Sequence, residues 1–197
     1  MTQALASLER IRRRRPAPPA GAEERCDLCA EPVGPAHRHL VDVQARSLRC
    51  ACRACALLFE HPGAGLRYRL VPDRWAGPFT VGEELSASLE IPVGVAFVMV
   101  SSATGEASAF YPGPAGATES MLPMGAWEEL AASTPELAGM QPDVEAALIA
   151  GGECFVVPVD ACYELVGLLR RTWRGFDGGE EAHQALDAFM EKVRARA

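Results

Sequence analysis

Five of the seven cysteines in this 197-residue chain fall between positions 26 and 55, as Cys26-x-x-Cys29 and then Cys50-x-Cys52-x-x-Cys55. Two Cys-x-x-Cys pairs with twenty-two residues between them have the spacing of a tetrathiolate metal site. Each pair can close a knuckle turn, and the stretch between them is long enough for a hairpin that brings the knuckles together. A module of forty residues, 23–62, buries too little apolar surface to be stable alone, so the ion would supply folding energy rather than a reaction.

The ligands predicted for this site are Cys26, Cys29, Cys52 and Cys55, which satisfy the four-ligand preference of Zn2+ and leave it coordinatively closed. Cys50 complicates the set. On a strand it points to the same face as Cys52 and can replace it, although the Cys-x-x-Cys turn is the tighter chelate. His37 and His39 also share a strand face, opposite the cysteines in the expected hairpin. Either can replace a cysteine, or the pair can bind a second metal; two solvent-facing histidines are the simpler account. Iron is the alternative to zinc, since paired knuckles are also how rubredoxins hold a redox-active iron. The Cys50-x-Cys52-x-x-Cys55 spacing fits no common ferredoxin cluster run.

Composition narrows the setting. The net charge of -7 argues against broad nucleic-acid binding, even though Arg25, Arg38, Arg46, Arg49 and Arg53 give the cysteine module some positive charge. The basic run Arg10, Arg12 to Arg15 is followed by Pro16-Ala17-Pro18-Pro19 rather than an apolar stretch, so no signal peptide is expected. The apolar run 91–100 is too short to span a bilayer and contains Pro92 and Gly94. A cytoplasmic protein is therefore expected, and a reducing compartment favours metal ligation over disulfides.

Three regions are expected: a basic, Pro-rich and flexible segment over 1–22 with a short helix in 1–15; the cysteine ribbon over 23–62, closed by Pro62-Gly63; and one α+β domain over 63–197. In the ribbon, strands are expected at 37–43 and 46–50. In the larger domain, period-two patterning predicts a strand at 66–71, and 93–101 pairs with 107–111 as a hairpin that Pro112-Gly113-Pro114-Ala115-Gly116 ends. Helices are expected over 124–132, 135–140 and 142–150, with Gly151-Gly152 stopping the last. A buried strand over 154–159 leads to a helix over 161–173, capped by Asp160 and apolar along Tyr163, Val166, Leu169 and Trp173. A C-terminal helix follows over 180–196, with Leu186, Phe189 and Val193 inward. The fold class is α+β: a small zinc-ribbon or rubredoxin-like four-cysteine module before an α+β domain with an antiparallel sheet and C-terminal helices.

Cys154, in an apolar strand, and Cys162, near a helix start, read as small core residues; a helix N-terminus lowering the Cys162 pKa is the reactive alternative. The chain contains no His-Glu-x-x-His and no Gly-x-Ser-x-Gly, and no catalytic constellation is expected.

Three segments, CDLC…HRHLVD…LRCACRACALLF, IPVGVAFVMVSSATGEASAFYPGPAGATES and CYELVGLLRRTWRGFDGG, are distributed from Cys26 to Gly179, over most of the chain's length. They resemble a domain-of-unknown-function family encoded in actinobacterial-type nickel–iron hydrogenase gene clusters. The resemblance implies an accessory protein that acts in hydrogenase maturation or assembly through contacts with a hydrogenase subunit or maturation factor, or in electron transfer near the enzyme. It supplies no catalytic residues. The expected function is thus a non-catalytic, metal-binding accessory protein, with a rubredoxin-like iron carrier as the alternative.

Overall fold

A computed structural model describes residues 23–60, 67–81, 94–119, 125–175 and 177–197. The expected N-terminal helix and linker over 1–22, and the closing turn at Pro62-Gly63, lie outside the described residues. The architecture is mixed α+β with two antiparallel sheets.

The smaller sheet has the order β2-β1-β3, built from β1 (Arg38–Asp42), β2 (Ser47–Ala51) and β3 (Tyr68–Leu70). β1 is central, and period two sends its neighbouring side chains to opposite faces. Leu40 packs with Ala51 and Ala56 on one side. Val41 packs on the other with Val71, Val144 and Val159 of the larger domain. β3 pairs with β1 across Leu40↔Leu70 to Asp42↔Tyr68, so a strand from beyond residue 63 completes the sheet that carries the cysteine module.

The larger sheet has the order β4-β9-β8-β5-β6-β7. Its strands are β4 (Ala76–Thr80), β5 (Val95–Val100), β6 (Ala107–Gly113), β7 (Gly116–Glu119), β8 (Glu145–Ala150) and β9 (Glu153–Pro158). β8 and β9 are interior strands and bury both faces. Ala146, Leu148, Phe155 and Val157 face one way, where the core includes Leu165, Leu169, Leu186, Phe189 and Val193. Those residues come from the two C-terminal helices, Val159–Thr172 and Gly179–Arg194. Ala147, Ile149, Cys154 and Val156 face the other way, against Trp127 and Leu137 of the helices Gly125–Ser133 and Pro135–Ala138. With the five-residue helix Arg53–Leu57 as α1, these four are α2 (Gly125–Ser133), α3 (Pro135–Ala138), α4 (Val159–Thr172) and α5 (Gly179–Arg194). Each fully buried Leu or Phe in these layers contributes about 1.5–3 kcal/mol relative to exposure.

Four sequence expectations are corrected. The helix expected over 142–150 is strand β8: all six of its residues are buried, and β5 and β9 take its hydrogen bonds. Asp143 adopts a φ of 67°, which breaks any helix starting at Pro142. Gly151 and Gly152, with φ of 58° and 81°, then form the two-residue turn joining β8 to β9, a geometry that needs positive φ at both positions. Residues 112–116 do not end pairing but turn it, since Pro112↔Ala117 and Gly113↔Gly116 start the β6–β7 hairpin. Asp160 does not cap α4, whose N-cap is Pro158 without a side-chain hydrogen bond. Tyr163 points outward at 49% exposure, and the buried stripe of α4 runs through Cys162, Leu165 and Leu169 instead.

Candidate metal centre

The first knuckle is closed by two backbone hydrogen bonds, Cys26 N–H to Glu31 O at 2.8 Å and Ala30 N–H to Cys26 O at 2.9 Å. Asp27 fastens this turn to β2: its N–H donates to Cys50 O at 2.8 Å, and its Oδ2 accepts from Cys50 N–H at 2.9 Å. The second knuckle opens α1. Cys52 is the N-cap, its O accepts from Ala56 N–H at 2.9 Å, and its Sγ accepts from Cys55 N–H at 3.5 Å.

These turns converge. The Sγ atoms of Cys26, Cys29, Cys52 and Cys55 all lie within 4.8 Å of one another, and Cys29 Sγ and Cys52 Sγ are 3.7 Å apart. A tetrahedron with zinc–sulfur bonds of about 2.3 Å has sulfur–sulfur edges of about 3.8 Å, so the donor set fits one such ion. Cys26 is buried at 3% exposure while Cys29 is exposed, so the cluster sits at the surface with one side covered.

Cys26 and Cys55 are electrostatically unequal. Burial raises Cys26, but backbone hydrogen bonds from Cys52, Cys29 and Leu28 outweigh it and bring the thiol down to about 6. Cys55 is pushed up to about 12, first by its hydrogen bond with Cys29 and then by burial. Without a cation, one thiolate suppresses ionisation of its neighbours; a bound divalent ion reverses that balance and favours all four thiolates.

Cys50, His37 and His39 are placed elsewhere. They form a second group whose ligand atoms lie within 4.8 Å of one another. Register explains it, since His39 pairs directly with Cys50 across β1 and β2. His37, two residues earlier, shares the face of His39, and the two rings are 4.7 Å apart between centroids. The Cys50 thiol is raised by burial and then by the charges of Asp27, Glu24 and Cys26. His39 Nδ1 lies 2.9 Å from Asp160 Oδ2 on α4. Neither the Asp160 contact nor the Asp27 clasp had a signal in the sequence, because both depend on how distant segments dock.

Cys154 and Cys162 belong to the core. Burial pushes the Cys154 thiol up to about 12 and raises Cys162 as well, so the helix start at Cys162 does not activate it. His61 lies outside the described residues. An open cleft of about 740 Å3 runs between the two sheets and α4, lined by Val41, Val43, Met99, Phe110, Tyr163 and Val166 among others. Among the described residues no helix is long and apolar enough to cross a membrane.

A family of unknown function, DUF5947, matches residues 25–197, and the chain belongs to that family. No curated protein and no solved structure matches it.

Proposed function

For this DUF5947 member we propose a metal-binding accessory role, in which Cys26, Cys29, Cys52 and Cys55 hold one structural Zn2+ ion in a zinc-ribbon-like module. The observation that carries the metal is the convergence of four Sγ atoms within 4.8 Å from two separate turns. Four thiolates close the coordination sphere, so the ion would cross-link the two knuckles rather than meet a substrate.

The accessory role is one of protein contacts, with a hydrogenase subunit or maturation factor as partner. Sequence resemblance alone supports the hydrogenase setting. A docking role has its own support in Leu28, Leu57 and Leu58, which are 39%, 52% and 67% exposed. Leu28 lies inside the first knuckle, and Leu57 and Leu58 end the helix that the second knuckle opens. Apolar side chains held out on a small cross-linked module suit a partner surface better than water.

Two measurements test the reading. Elemental analysis of protein from its native source should find zinc with the tetrathiolate; iron there would replace this reading with a rubredoxin-like carrier. Affinity purification should recover a hydrogenase component that a Leu57→Ser/Leu58→Ser variant loses. Recovery of none with the unsubstituted chain would defeat the partner assignment.

A further inference from the structure

The second cluster has the features of a ligand set. His37 Nδ1 lies 2.8 Å from Gly34 O, and a carbonyl oxygen can only accept, so Nδ1 carries the proton. His39 Nδ1 is 2.9 Å from the Asp160 carboxylate and carries its proton for the same reason. In both rings the nitrogen left with a free lone pair is therefore Nε2. A metal-bound histidine has this arrangement: one nitrogen donates to a carbonyl or carboxylate, which fixes the ring and leaves the other for the ion.

His37 Nε2 is buried and has no hydrogen-bond partner among the described residues, and the His37 side chain is only 8% exposed. An unsatisfied buried polar atom is costly, so a folded chain normally supplies a partner. Cys50 stands across the sheet from His39, and its ligand atom and those of both histidines fall within 4.8 Å of one another. Asp27 holds the Cys50 backbone through both its N–H and its carbonyl, which fixes the main chain that carries the thiol. The surrounding charge also suits a cation. Asp160 and Asp27 are bonded to the cluster, and Glu24 Oε2 is 3.8 Å from His37 Nδ1.

We propose that His37, His39 and Cys50 form a second metal site, separate from the tetrathiolate, for a thiophilic divalent cation of the Zn2+ class. Two imidazoles and one thiolate fill three positions and leave a fourth open to water or to a donor from another molecule. Asp160 is a positioning residue: it orients His39 and touches no ion. The tetrathiolate is closed, whereas this site can exchange a ligand. The site does not depend on the docking role proposed above.

The test counts metal in the full-length chain after Zn2+ loading and desalting, by elemental analysis. The unsubstituted chain should hold about two equivalents, and His37→Gln/Cys50→Ser about one. A Cys52→Ser/Cys55→Ser variant reads the tetrathiolate independently, so failure of one site is told apart from failure of the other. Loss of no metal in His37→Gln/Cys50→Ser overturns the proposal. Should that variant fail to fold by circular dichroism, alkylation of Cys50 in the unsubstituted chain decides. Zinc beyond the first equivalent should protect Cys50 from iodoacetamide; unchanged labelling overturns the proposal.

Discussion

His39 Nδ1 and Asp160 Oδ2 meet at 2.9 Å across 121 residues of sequence, joining β1 of the cysteine-bearing sheet to the first turn of α4. Asp160 therefore sits between the body of the protein and the proposed His37–His39–Cys50 site. Removing such an outer carboxylate typically lowers metal affinity about 10–100-fold. Asp160→Ala should weaken the second zinc equivalent by about that factor while leaving the tetrathiolate ion in place. Competition with a chromophoric chelator measures both constants in one titration. Equal weakening of both ions would mean that Asp160 acts only on the stability of the module.

Acid stability should be set in part by Asp42. Its side chain is fully buried at the end of β1 and accepts from Arg67 Nη2 at 2.8 Å, Arg67 Nε at 3.2 Å and Ala45 N–H at 3.1 Å. The Arg67 hydrogen bond holds the carboxyl below the usual carboxylate range, despite burial. A depressed folded-state pKa stabilises above the unfolded value of about 3.9, and that stability is lost as pH falls through the folded value. Asp42→Asn should cost about 1.5–3 kcal/mol at neutral pH and flatten the acid limb of the unfolding curve. Urea midpoints between pH 2 and pH 7, roughly bracketing that window, read this directly. An unaltered acid limb would contradict the assignment.

The legible parts of the fold are those where the pattern is local. Alternation found β3, an apolar run found β5, the expected hairpin between the knuckles found β1 and β2, and helical spacing found α2, α4 and α5. Both knuckles were readable because a Cys-x-x-Cys turn needs no distant partner. β8 was not: Glu145-Ala146-Ala147-Leu148-Ile149-Ala150 has good helix formers, and only burial between β5 and β9 makes it a strand. β4 escaped for a related reason, since a strand containing Gly77-Pro78 carries little local strand signal. At the metal centre, spacing grouped the four knuckle cysteines. It set His37 and His39 opposite the cysteines, but the exact pairing of His39 with Cys50 depends on where the hairpin turns between Asp42 and Ser47.

Glu145 and Arg74 make a further test. Glu145 is fully buried, and its Oε2 accepts from Arg74 Nη1 at 2.9 Å and from Gln141 N–H at 2.7 Å. Its Oε1 has no hydrogen-bond partner among the described residues, which makes Arg74 the main compensation for the carboxylate's charge. Breaking a buried pair from one side costs about 3–5 kcal/mol because a charge is left uncompensated. Arg74→Leu should therefore destabilise strongly, and adding Glu145→Gln should recover much of the loss, since the amide still accepts from Gln141. Denaturant unfolding of the two single variants and the double variant gives the coupling. Additive losses would show that the charges do not compensate each other.

Thiol chemistry should split the seven cysteines into two classes. Cys154 and Cys162 are buried in opposite layers of the larger sheet, and burial raises both thiols, Cys154 to about 12. The thiolate is the nucleophile, so neither should react in the native protein at neutral pH. Cys29, Cys50, Cys52 and Cys55 are exposed or partly exposed, so in metal-free protein they should alkylate before the buried pair, with Cys55, pushed up to about 12, slowed by its own ionisation. Cys26 combines 3% exposure with a thiol lowered to about 6, so access rather than ionisation limits its rate. Saturating zinc should suppress labelling of the N-terminal set without changing Cys154 or Cys162. Peptide mass spectrometry after a short iodoacetamide pulse, with and without zinc, separates the classes. Rapid native labelling of Cys162 would mean that α4 opens far more readily than its packing against α5 allows.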